Sequence, residues 1–337
     1  MNARMELTGR QNNLNLLRFI AALLVIFSHA YVLTGRAPDL ITRATRGQTT
    51  GGQLAVLLFF FYGGLLIMKS VESKRDARAF FAARATRIFP ALWIVVLSSA
   101  FILGPLLTTL PLSRYLTSAG TWKYLLNGLL IPVHALPGVF EGNPAMSTVN
   151  GSLWTLPVEF LCYIMCFVFH RLGLSKGKRP LLLLPVAAAA AAAAWMVLGN
   201  NETLRNAVLP VLFFYIGMVC CLFRDRIPLN GFAALGAAAL LALSAACGVF
   251  LPAACVLYPY ILMFLGFGTR RKLSGFGRGL ELSYAIYLTG FPLQQTLIRF
   301  DPQMSPLLNF ALGACTAICA AVPVTWLDKR AASRLRK

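Results

Sequence analysis

Apolar stretches of about twenty residues recur from one end of this chain to the other, and that is the length a helix needs to cross a bilayer. A soluble fold of 337 residues would need a polar coat, and the residues for one are missing: 58% of the chain is hydrophobic and only 12% is charged, with a mean hydropathy of +0.70. Soluble domains carry about twice that share of charge. The pattern predicts an all-α polytopic membrane protein. Hydropathy and helix breakers predict about ten spans, over 15–34, 53–70, 88–109, 152–170, 181–199, 207–223, 231–249, 252–268, 280–299 and 306–327. The apolar segment 122–133 is too short to cross and reads as interfacial or re-entrant. The run Ala187 to Ala194 is low-complexity and suits a tightly packed or lipid-facing helix. No Ser-, Gly- or Pro-rich linker divides the chain, so one transmembrane domain over 1–337 is expected.

A net charge of +20 raises the question of a polyanionic partner. Nucleic-acid binders gather Lys and Arg into a patch on one face. Here the basic residues form short clusters between apolar spans, so no nucleic acid is expected and membrane lipids are the surroundings. With both termini cytoplasmic, 24 Lys and Arg fall on the inner side and seven on the outer. That asymmetry is the positive-inside pattern, and it requires an even number of spans. The eight cysteines lie in apolar stretches and read as small packing residues. With few, scattered histidines, no metal site is expected.

Ionisable side chains are costly inside a bilayer, so each one within a span is a functional candidate. Arg18 and His29 lie in the first helix, NNLNLLRFIAALLVIFSHAYVL. Eleven residues return a helix to nearly the same face, about 16 Å further along. Arg18 reads as near the inner surface, either as a snorkelling anchor or as a binding group; His29 reads as in the outer half. Glu159 is the carboxylate well inside a span, in NGSLWTLPVEFLCY. It is expected about 10 Å below the outer surface, with Pro157 interrupting the helix one turn earlier. The matching depths of His29 and Glu159 allow a His–Glu contact, in which the carboxylate orients an imidazole general base. The alternative is a purely structural pair. Arg84 and Arg87, three apart at the start of the third span, share a face. Their guanidinium forks suit phosphate oxygens, although ordinary positive-inside charge would produce the same cluster. His134 and His170 read as incidental.

The segments NNLNLLRFIAALLVIFSHAY, FFFYGGLLI, FFAARATRIFPALW, NGSLWTLPVEFLCY and SYAIYLTGFPLQQ, taken in order, resemble the acyltransferase-3 family of bacterial membrane O-acyltransferases, which includes O-antigen and exopolysaccharide acetylases. The resemblance implies a ten-helix domain in the bacterial inner membrane. It also implies acetyl-CoA, or another acyl-CoA, as cytoplasmic donor, and a glycan or polyprenyl-linked saccharide as acceptor. It makes His29 and Glu159 the expected catalytic pair and Arg18, Arg84 and Arg87 the expected donor-binding residues. Two positions depart from the family pattern: Gly63 stands where a serine is usual, and Gly290 where a histidine is often found. No fused extracytoplasmic domain is expected. The competing expectation is a transporter or flippase for a lipid-linked saccharide, whose mark would be an internal repeat with paired broken helices; no such repeat is visible. A non-catalytic sensor is a third reading.

Overall fold

A computed structural model describes residues 12–36, 38–73, 76–198, 202–269, 273, 275–277 and 279–335. The inside–outside count draws in part on Arg4, Arg10, Lys74, Arg75, Arg270, Arg271, Lys272, Arg278, Arg336 and Lys337, which lie outside the described residues. Among the described residues there is no strand. In hydrocarbon a helix satisfies its own backbone donors and acceptors, and an open strand cannot.

The principal helices are α1 (Leu14–Leu33), α2 (Gly51–Ser73), α3 (Ala77–Ser98), α4 (Thr155–Arg171), α5 (Leu184–Val197), α6 (Glu202–Leu222), α7 (Gly231–Ala246), α8 (Phe250–Met263), α9 (Ser283–Phe300) and α10 (Pro306–Leu335). Seven helical stretches among the described residues are long and apolar enough to cross a membrane. The stretches Asn206–Leu222 and Gly231–Ala246 are apolar but shorter. Helix α9 is not one of these stretches, because Thr289, Gln294, Gln295 and Arg299 interrupt its apolar run.

Helix α3 begins eleven residues before the expected span. Asp76 accepts from the main-chain N–H groups of Arg78 (3.3 Å) and Ala79 (2.9 Å), an N-cap that starts the helix early. The helical stretch continues through a π turn at Ser99–Leu103 to Leu107, 31 residues in all, or about 46 Å at the α-helical rise. That exceeds a hydrocarbon core of about 30 Å. Arg84 and Arg87 therefore ride on a rigid helical extension of the span and not on a loop. The segment expected to be interfacial forms two short turns, Ala119–Lys123 and Tyr124–Leu129, neither long enough to cross. Nearby, the buried Tyr115 hydroxyl donates to the carbonyl of Ala100 at 2.7 Å, and burial pushes that hydroxyl up to about 12.

The helices form two compact units. One comprises Met1–Ala21, Leu40–Phe80 and Val158–Arg278; the other comprises Ala22–Asp39, Phe81–Pro157 and Gly279–Lys337. In the first unit α2 packs closely on α6. A Cβ on Gly64 would collide with the carbonyl of Phe214, and one on Gly217 with the carbonyl of Phe61. The two glycines thus bring the backbones together from opposite sides, the small-residue device of membrane helix packing. Tyr62 donates to the carbonyl of Leu262 at 2.7 Å. Asn13 ties the start of α1 to the end of α8, donating to the carbonyl of Leu265 at 3.1 Å and to Thr269 at 2.7 Å.

In the second unit α9 packs on α10 and on the C-terminal part of α1. A Cβ on Gly290 would approach Ile26 Cγ1 to 2.9 Å, and one on Gly313 would approach Gln294 Cγ to 2.7 Å. The segment between α3 and α4 is held by α9 as well. The amide of Gln295 donates to the carbonyls of Met146 (2.9 Å) and Thr148 (2.8 Å), and Asn150 donates to the carbonyl of Leu288 at 2.8 Å.

Candidate active site

His29 stands on α1 in the second unit. Its ring meets Phe291 of α9 edge-on, with centroids 5.0 Å apart and planes at 77°. Its Nδ1 is buried and has no hydrogen-bond partner, although the residue as a whole keeps some exposure. The neighbouring Ser28 donates to Asp39 at 2.9 Å, and both side chains are buried. Asp39 follows the span in a loop, where nothing in the sequence marks it as a partner of Ser28.

Arg18 lies on the same helix eleven residues earlier, half-buried. In the second unit Arg84 is half-buried and Arg87 exposed, on one face of α3. Asp328 of α10 accepts the main-chain N–H of Ala91 at 3.1 Å, and its carboxylate lies in the electrostatic field of Arg87 and Lys329. Tyr284 of α9 donates to the carbonyl of Ile88 at 3.1 Å. The turn of α3 that follows the arginines is therefore gripped by two other helices. Neither grip was legible in the sequence, where Asp328 reads as the end of a span.

Glu159 is half-buried on α4 and belongs to the first unit. Its carboxylate accepts a short hydrogen bond from the hydroxyl of Tyr163, one helical turn on, and Tyr163 is itself buried. A glutamate followed four residues later by tyrosine on one helix is the signal that could have found this pair. Pro157 does not interrupt the helix. A 3-10 turn at Gly151–Trp154 leads into α4 at Thr155, so Pro157 sits in the first turn of the α-helix, where its missing N–H costs least.

The five expected site residues are thus distributed as His29, Arg84 and Arg87 in one unit and Arg18 and Glu159 in the other. Among the described residues, no three His, Cys, Asp or Glu side chains cluster as a metal ion would require. Search by charge also missed the buried amides Gln294, Gln295 and Asn309, each 0% exposed, because an uncharged amide in an apolar run carries little weight in hydropathy.

A mostly apolar chain of long helices, with imidazole, carboxylate and guanidinium groups set into them, defines a multi-pass membrane protein equipped for polar chemistry. The profile of a family described as an acyltransferase domain matches residues 11–327, and the chain belongs to this acyltransferase-3 family and is an acyltransferase. It is 27% identical over 304 residues to an "O-acetyl transferase" of Shigella phage Sf6, across 86% of each chain. It is 31% identical over 175 residues to "Nodulation protein 10" of Rhizobium leguminosarum bv. viciae, across 47% of this chain and 43% of that one. No solved structure matches the chain.

Proposed function

We propose that this acyltransferase works as a single ten-span domain of the bacterial inner membrane with both termini cytoplasmic. It moves an acyl group, acetyl by the likeness to the phage O-acetyl transferase, from cytoplasmic acyl-CoA to a hydroxyl of an extracytoplasmic or lipid-linked glycan. Arg84 and Arg87, with Arg18, hold the phosphates of the donor, because planar guanidinium forks pair with phosphate oxygens. The thioester is carried along the arm of the donor toward His29. The imidazole takes the proton of the acceptor hydroxyl as its oxygen attacks the thioester carbonyl. The carbon–sulfur bond breaks and CoA leaves as the thiol. In a two-step variant the imidazole nitrogen attacks first and holds the acyl group before passing it on. Glu159 serves as the carboxylate of the reaction in either route.

The observation that carries the proposal is an imidazole set in an apolar helix with a buried, unbonded ring nitrogen, in a chain matched to an acyltransferase family over nearly its whole length. A histidine placed there for packing alone would leave that polar atom a cost without return. Membranes containing the wild-type chain, supplied with labelled acetyl-CoA, are expected to transfer label to glycan, and His29→Ala membranes are not. Normal transfer by His29→Ala would remove both routes. Saccharide movement independent of CoA would point to a transporter instead.

A further inference from the structure

The side-chain amide of Gln294 is fixed without ambiguity. Its Nε2 donates to the main-chain carbonyl of Ile26 at 2.9 Å and to Asn309 Oδ1 at 2.8 Å. A carbonyl oxygen can only accept, so the end of the amide facing Ile26 must be the NH2 group. Asn309 is fixed in the same way, since its Nδ2 donates to the carbonyl of Gln294 at 3.3 Å. With both N–H groups of Gln294 committed, the remaining atom is Oε1, which is buried and has no hydrogen-bond partner. Gln294 as a whole is 0% exposed.

A second orphan lies on the same pair of helices. His29 is three residues beyond Ile26 on α1, and Phe291, which touches its ring, is three residues before Gln294 on α9. His29 Nδ1 is also buried and without a partner. Unbonded buried polar atoms are rare and costly, and each calls for an explanation. These two are complementary, because Oε1 can only accept and Nδ1 of a neutral imidazole can donate. Internal waters characteristically bridge such pairs.

We propose that Gln294 is a positioning residue for His29, acting through one internal water that accepts from Nδ1–H and donates to Gln294 Oε1. The opposite arrangement, a water donating to both atoms, would forgo the mutual polarisation of a donor-to-acceptor chain. The relay therefore places the proton of the neutral imidazole on Nδ1 and leaves the lone pair on Nε2, the nitrogen not consumed by the buried contact. When Nε2 takes a proton, the same relay stabilises the imidazolium. This proposal rests on the reading of His29 as the reacting base, but its test does not depend on turnover.

The chain has three histidines, so nitrogen NMR of the full protein labelled with ¹⁵N-histidine in lipid nanodiscs can assign His29 by the signals lost in His29→Ala. Wild-type protein is expected to show Nδ1 protonated and Nε2 bare. Gln294→Met, of similar shape but lacking the acceptor, is expected to mix the two tautomers. It should lower kcat about tenfold to a hundredfold, the scale of one lost hydrogen bond, with the KM for acyl donor nearly unchanged. Asn309→Ala loosens the same helix junction while keeping Oε1, and is expected to keep the wild-type tautomer. An Nε2-protonated His29 in wild-type protein overturns the proposal, whether or not any variant folds. So does a wild-type tautomer in Gln294→Met. Full activity of His29→Ala would instead remove the catalytic reading of His29 and leave the tautomer measurement standing.

Discussion

The ring of His29 is held edge-on against Phe291, centroids 5.0 Å apart, so a residue on α9 sets the orientation of an imidazole on α1. Phe291 is 5% exposed and packs with Leu33, Ile298 and Met146. We expect His29→Ala to lower acyl transfer by about 10² to 10⁴, the range of a lost general base. Phe291→Leu, which keeps the bulk but not the ring edge, should lower kcat by a smaller factor. Steady-state assays with purified protein check both, and equal effects on kcat and stability in Phe291→Leu would assign Phe291 to packing alone.

Tyr163 holds the carboxylate of Glu159 from one turn away. If Glu159 acts in its ionised form, Glu159→Gln should lower turnover severely, whereas Tyr163→Phe should lower it only about tenfold, the worth of a single hydrogen bond to a charged group. Activity unchanged in Glu159→Gln would take the carboxylate out of the mechanism.

Arg84 and Arg87 occupy a helical extension, and the turn that follows them is gripped by Asp328 and Tyr284. As donor-phosphate ligands, Arg84→Ala and Arg87→Ala should each raise the KM for acyl-CoA with a smaller change in kcat. Lysine should restore little, because it lacks the bidentate fork. Donor titrations at low and moderate salt distinguish this from a general loss of inner-side charge, for which Lys and Arg would be equivalent.

The close approach of α2 and α6 at Gly64 and Gly217 leaves no room for a methyl group against facing backbone carbonyls. Gly64→Ala and Gly217→Ala should each destabilise by about 1–3 kcal/mol, the usual cost of overpacking. Gly63 differs, since a Cβ there would sit 3.5 Å from the ring of Phe214. Gly63→Ser should therefore be tolerated. Thermal unfolding in one detergent compares the three; a Gly64→Ala protein as stable as Gly63→Ser would refute the packing argument.

A Cβ on Gly290 would press on Ile26. Gly290→Ala should lower stability, and the double variant with Ile26→Ala should recover part of the loss through coupling of neighbours. Purely additive effects in a double-mutant cycle would show that residues 26 and 290 do not compete for the same space.

Much of this was legible in the chain before any fold was known. The apolar runs located α2 and α7 to within a few residues, because the requirement for internal hydrogen bonding in hydrocarbon acts on each segment separately. His29, Glu159 and the arginine pair stood out because a charge or an imidazole in an apolar run is costly wherever the helix goes. The early start of α3 was hidden, because Arg78, Arg84 and Arg87 lie outside the apolar run that marks the span, and only the cap at Asp76 shows where the helix begins. The role of Pro157 was hidden for a related reason, since a proline in the first turn and one in the middle of a helix look alike in sequence.

By itself, then, the order of residues determined that this chain is helical, lies in a membrane and carries a small set of ionisable groups within it, because transfer from water is a cost summed locally along the chain. Only the tertiary structure decided that Phe291 meets His29, that Gln294 spends both of its donors on Ile26 and Asn309, and that Asp328 reaches the turn after Arg87. Those contacts join residues up to 268 positions apart, and nothing local to either partner encodes them. They follow from which helix faces pack together, and therefore from where Gly290 and Gly313 leave room for the side chains of Ile26 and Gln294.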